Sequence, residues 1–180
     1  MHQNRCILND TARTSRDTNE VSVQSDTAAV LVSFMGGGYQ MEDINSLVTR
    51  FYDTWNAHDR DGWLACCDEN ITFNAPGGIA GEGLDTGRLF WSFWQDAFPD
   101  NRCTINVAVA EGNEAVQESV FTGTHTETFH VPGSQDIPAT GKSVAIPYTL
   151  GLTYLNGKWS SFRLVFDRAE LMTQLGLMPS

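Results

Sequence analysis

In Trp159-Ser-Ser-Phe-Arg-Leu-Val-Phe-Asp167-Arg-Ala-Glu-Leu-Met-Thr-Gln-Leu-Gly176, an alternating strand ends on a carboxylate and a short helix follows at once. Side chains in a strand alternate between two faces. Phe162, Leu164 and Phe166 therefore share one apolar face, the one a sheet buries against helices. Arg163, Val165 and Asp167 share the other, and Arg and Asp rarely go inside unless paired or used. A carboxylate at a strand end, aimed away from the main core, suits a general base in a pocket. It equally suits an N-cap for the helix Arg168–Leu175, where accepting backbone N–H bonds would depress its pKa and make it a poor base. Arg163 can pair with Asp167 or with Glu118.

Upstream of this strand lies Asn156-Gly157, a hairpin signal because both residues accept positive φ. Strands are expected near 102–110, 114–125, 143–155 and 158–167, with Glu111-Gly-Asn113 turning the first pair and a loop at Val131–Pro138 before the third. The first half of the chain has the other period. Ile44, Leu47, Val48, Phe51, Tyr52 and Trp55 recur at helical spacing, giving one broad apolar stripe. A second short helix is expected at Asp61–Cys67 and a brief strand at Ile71–Asn74. Asp85 is expected to cap a third helix carrying Phe90, Trp91, Phe93 and Trp94 and closed by Pro99. Helices first and antiparallel strands later predict an α+β domain, helices packed on one face of a curved sheet. Residues 1–40 are polar, lack a sustained period and end in Gly36-Gly-Gly38, so they read as a flexible leader ahead of a single domain over 41–180. The apolar patch at 28–35 could dock as a short strand or turn.

The 180 residues carry a formal charge of −11, almost all of it beyond residue 40. Such a surface argues against nucleic acid and anionic membranes, which are held by Lys and Arg. No apolar run approaches the ~20 residues that span a bilayer. Cys6, Cys66, Cys67 and Cys103 have no metal spacing, and adjacent Cys66 and Cys67 are ill placed to bond each other. Free thiols in a reducing compartment, hence a cytoplasmic protein, are the expectation.

Motifs for other chemistries fail on their own terms. Gly141-Lys142-Ser143 resembles the end of a phosphate-binding loop, but Asp136 stands where that loop needs Gly and a β pattern follows. Gly78–Gly83 lacks the βαβ setting of a dinucleotide site and reads as a rim loop. No two histidines sit at i,i+4 with an acidic partner, and no GxSxG elbow exists. His125 shares strand parity with Gln117 and Ser119, a polar row that lines either a pocket or an exposed face.

Phe98-Pro-Asp100, Gly123-Thr-His125, Pro138-Ala-Thr-Gly-Lys142 and Phe166-Asp167 with Thr173-Gln-Leu-Gly176 resemble, in order and spacing, the SnoaL-like polyketide cyclases of the nuclear-transport-factor-2-like superfamily. The resemblance spans roughly 44–177. It implies a cone-shaped α+β barrel, its curved antiparallel sheet wrapped around the N-terminal helices and enclosing a deep apolar cavity. It further implies a frequent homodimer and acid/base ring closure of an apolar, oxygenated natural-product intermediate without metal or cofactor. On that resemblance Asp167 is the base, and His125 or Arg163 polarises or protonates an oxygen. Asn74, Gln117, Trp91 and Tyr148 then shape the cavity. Epoxide-opening chemistry would need Glu118 or Asp53 to approach Asp167, and the same cone also serves as a non-catalytic binding or dimerisation module.

Overall fold

The helical stripe becomes the inner face of α1 (Gln40–Asn56), where Ile44, Leu47, Val48, Phe51, Tyr52 and Trp55 are all buried. The computed structural model describes residues 30–31, 40–130 and 135–178. The leader expected over 1–40 lies outside them except for Gln40 and a two-residue strand, β1 (Val30–Leu31).

After α1 come α2 (Arg60–Ala65), β2 (Cys67–Ala75), β3 (Ile79–Glu82) and α3 (Gly83–Gln95). Asp59 caps α2 by accepting from Gly62 N at 2.9 Å. Asp85 does not cap α3 as expected. The N-cap is Glu82, and Asp85 lies in the first turn, bound to Arg88 at 2.6 Å. The segment read as a rim loop at 78–83 is mostly β3, folded back on β2 with Ala75 opposite Ile79.

The second half delivers the expected hairpins: β4 (Arg102–Glu111), β5 (Glu114–Thr124), β6 (Ser143–Leu155) and β7 (Lys158–Phe166), followed by α4 (Arg168–Gln174). Asn156 and Gly157 turn β6 into β7 with φ of 51° and 82°, the positive values a tight right-twisted hairpin requires. The sheet order is β1-β4-β5-β6-β7-β2-β3.

Two features of the expected barrel are corrected. The sheet is mixed, because β2 runs parallel to β7 and β1 parallel to β4. It is also open, with β1 and β3 at its edges. Strand β2 reaches β7 by a non-local pairing after two helices, and such a pairing escapes the antiparallel constraint of a tight turn. The six longer strands and three helices remain an α+β cone, with the core between α1–α3 and the inner sheet face.

Candidate functional site

Between helices and sheet lies an apolar hollow. Phe51, Tyr52 and Trp55 reach it from α1, Trp63 from α2, and Phe90 and Trp94 from α3. The opposite wall is built by Cys103 of β4, Phe121 of β5, Ile146, Tyr148 and Leu150 of β6, and Phe162, Leu164 and Phe166 of β7. Cys103, Tyr148 and Phe166 are the lining residues that stay partly accessible. An apolar lining with a few convergent polar groups has the character of a small-molecule site.

The polar groups converge on one phenol. Tyr148 Oη lies 3.2 Å from Tyr52 Oη, Ser119 Oγ lies 3.0 Å from the same oxygen, and the Gln117 side-chain amide is 3.2 Å away. Backbone register explains the meeting: Ser119 and Tyr148 are cross-strand partners, and Gln117 and Ser119 share the inward parity of β5. Tyr52 descends onto them from α1. Burial pushes the pKa of Tyr52 and of Tyr148 above the ordinary phenol value, so both are neutral hydroxyls at neutral pH. Burial likewise pushes the Cys103 thiol up to about 12, which leaves it protonated and a poor nucleophile.

Of the residues expected to act, Tyr148 lines the hollow and Gln117 supports it from behind Tyr52. Trp91 is buried but stands one layer back, packed on Trp55 at 5.0 Å and Trp63 at 5.5 Å. The others lie elsewhere. Asp167 is solvent-exposed and caps α4, accepting from Ala169 N at 2.8 Å and Glu170 N at 3.1 Å. Arg163 and Asn74 are register partners on the outer, exposed sheet face, and the Arg163 guanidinium lies over Gly151. Glu118 and Asp53 are exposed as well, so among the described residues no pair of acids meets in the hollow.

The cause is parity. The hollow opens on the helix side of the sheet, the face of Phe162, Leu164 and Phe166, so the polar face of β7 points away from it. The capping alternative therefore describes Asp167. Asp167→Ala is expected to lower stability by ~1 kcal/mol, the usual worth of an N-cap. Urea unfolding reads that loss, and ligand binding in the hollow should not change.

His125 is fully buried but stands at the end of the sheet, against Phe98 at 5.2 Å and Phe129 at 5.9 Å, and does not line the hollow. Its neighbours are the very motifs that carried the family resemblance. Thr140 N and Thr140 Oγ1 lie 3.3 and 3.1 Å from Nδ1, Gly141 N donates to the His125 carbonyl, and Asp100 accepts from Thr124 N at 2.6 Å. Gly123 leaves room for this, since a Cβ there would stand 3.1 Å from Phe98 Cβ and 3.2 Å from Asn101 Cβ. These residues form a clasp that ties the β5 and β6 ends to the loop after α3.

With Thr140 N–H donating to Nδ1, the imidazole proton sits on Nε2, which has no partner among the described residues. Burial lowers the pKa of this histidine. The unfolded chain takes up its proton near pH ~6.5 and the folded chain only at lower pH. The contribution is thus full above that value and is lost as pH falls through the window below it. Relative to His125→Gln, the parent should lose stability on acidification with a slope of at most ~1.4 kcal/mol per pH unit. Urea titrations of both proteins at several pH values check this.

Sequence reasoning passed over Tyr52 and Cys103. Tyr52 was absorbed into the apolar stripe, although a buried tyrosine hydroxyl demands a partner and that demand was the available signal. Nothing in the sequence singles out Cys103. Among the described residues, no group of three His, Cys, Asp or Glu side chains is placed to hold a metal ion. None of the described helices is long and apolar enough to cross a membrane.

A cone of helices on an open curved sheet, hollow at its centre, defines a nuclear-transport-factor-2-like protein. The chain belongs to the SnoaL-like domain family, whose model matches residues 48–162. Its fold is similar to that of a candidate SnoaL-like polyketide cyclase from Jannaschia sp. CCS1, with a TM-score of 0.68 and 21% identity over 82% of this chain and 100% of that one. It is also similar to AclR, a candidate hydroxylase from Streptomyces galilaeus, with a TM-score of 0.66 and 21% identity over 77% and 99% of the two chains. IdmH, a candidate polyketide cyclase from Streptomyces antibioticus, gives a TM-score of 0.61 and 19% identity over 73% and 97%. No curated protein sequence matches this one.

Proposed function

We propose that the hollow takes a small, apolar, oxygenated molecule and promotes its ring closure without a cofactor, with Tyr148 as the group that meets the reacting oxygen. The observation that carries this reading is the contrast inside the hollow: walls of aromatic and aliphatic side chains, and one cluster of neutral hydroxyls at Tyr52 and Tyr148. Family membership and the names given to several structural neighbours support a cyclase type of reaction.

The chemistry follows from what lines the space. A linear polyketone folded between aromatic walls brings an enol carbon against a carbonyl carbon, and orientation alone lowers the barrier. As the C–C bond forms, the carbonyl π pair moves onto oxygen, where the Tyr148 hydroxyl stabilises the developing charge. Among the described residues no Asp, Glu or His lines the hollow, so the enol proton passes through water or a second carbonyl of the substrate to the new alkoxide, which becomes the aldol hydroxyl. The closed aldol then loses its hydroxyl and an α-proton as water, giving the conjugated enone. The expected partner is thus one small molecule.

The test uses a linear diketone that closes to a methylcyclohexenone, followed by the absorbance of the enone. Acceleration by the parent and by Asp167→Asn alike, abolished by Leu150→Trp, supports the reading. No acceleration, together with tight binding of a bicyclic ketone, would favour the second reading, a carrier or binding module. Among the described residues no carboxylate or imidazole lines the hollow, which favours that alternative.

A further inference from the structure

The hydroxyl cluster has a donor and acceptor count that fixes what kind of oxygen it can hold. Three side chains point at Tyr52 Oη, which has one proton and two lone pairs. With Gln117 Oε1 facing Tyr52, the Tyr52 proton goes to that carbonyl, and Tyr148 and Ser119 both donate into Tyr52. Two costs follow. Tyr148 has no proton left for the hollow, and Gln117 Nε2 is buried with no partner among the described residues. An unpaired buried amide N–H is more costly and rarer than an under-satisfied carbonyl.

Turning the Gln117 amide by half a rotation changes no shape, since its O and N are interchangeable in outline. Nε2–H then donates to Tyr52 Oη, Ser119 fills the second lone pair, and the Tyr52 proton passes to Tyr148. The Tyr148 hydroxyl is now free to donate. It is also the one member of the four that is partly accessible, while Gln117, Ser119 and Tyr52 are 0%, 2% and 6% exposed.

We propose that Gln117 is a positioning residue that sets the hydrogen-bond polarity of the hollow, running Gln117 N–H to Tyr52 to Tyr148 to a ligand oxygen, so that the site selects carbonyl compounds over the matching alcohols. This rests on the reading of the hollow as a small-molecule site and deepens it to a substrate class: a ketone, quinone or ester carbonyl held at Tyr148.

The test compares α-tetralone with α-tetralol, which share a bicyclic frame and differ at one oxygen. Binding is read by quenching of the tryptophan fluorescence that Trp55, Trp63 and Trp94 contribute around the hollow. The parent should prefer the ketone about tenfold, the worth of one well-made hydrogen bond. Gln117→Met should bring the two affinities together, and Ser119→Ala should sharpen the preference by leaving the Tyr52 proton no acceptor but Tyr148. Should the methionine variant fail to fold, the parent alone decides. The carbonyl stretch of bound α-tetralone should fall below its value in hexane, a shift that mere apolar burial would not give. Equal affinities or an unshifted stretch would overturn the polarity while leaving the hollow a binding site. Binding of neither compound would overturn the small-molecule reading itself.

Discussion

Tyr148→Phe is expected to slow closure of the diketone by about 10²–10³-fold, the usual cost of removing one preorganised donor to a developing oxyanion. The ring stays, so the walls that fold the substrate keep their shape. The lost group is the one lining hydroxyl that is partly accessible and already ordered by Tyr52 at 3.2 Å. Its net contribution to ground-state binding is smaller, about 0.5–1.5 kcal/mol, because the ligand exchanges one hydrogen bond with water for one with the protein. The loss should therefore fall mainly on kcat and only modestly on KM, the signature of an interaction that strengthens in the transition state. Steady-state kinetics and diketone binding, measured on the same preparation, separate the two. A variant that binds less tightly but turns over at the parental rate would remove Tyr148 from the chemistry.

Most of the architecture was legible because it rests on local periodicity. Helix α1 declares itself through six apolar residues on one stripe, and β6 and β7 through Asn156-Gly157 between two alternating runs. What stayed hidden was non-local or short. Strand β3 is four residues long, contains Gly81 and has β2 as its one hydrogen-bonded neighbour among the described residues, so its sequence alone resembles a loop. The parallel pairing of β2 with β7 joins residues about ninety positions apart, for example Phe73 with Phe162, and no local signal encodes it.

The site was harder to read for a physical reason. A cavity lined by Phe51, Phe90, Phe162 and Leu164 has the sequence pattern of a packed core, since both are the inner face of the same elements. Polar residues on the opposite face of β7 then look functional by contrast. Asp167 and Arg163 owe their visibility to this contrast, and the structure gives them a cap and an outer surface. The polar row Gln117 and Ser119 was legible through strand parity, but its partner Tyr52 comes from a helix sixty-five residues away from Gln117 and only the fold brings them together.

The largest effect on stability is expected at Trp63. Its side chain is 0% exposed and stands at the meeting point of two layers: Phe51 at 5.0 Å, Trp91 at 5.5 Å, Trp55 at 5.6 Å and Phe90 stacked at 6.0 Å. Trp63→Ala removes these contacts and joins a new void to the hollow, and ~3–5 kcal/mol is the usual cost of deleting a buried aromatic. Trp63→Phe should cost far less than its lost volume suggests. The indole Nε1 has no hydrogen-bond partner among the described residues, and deleting an unpaired buried donor returns about 1–3 kcal/mol of desolvation. Thermal and urea unfolding of both variants give the comparison. A phenylalanine variant as unstable as the alanine one would mean that the indole N–H is paired after all. The two variants also differ at the site: the alanine void should admit a bulkier ketone than the parent, provided binding is measured well below the lowered melting point.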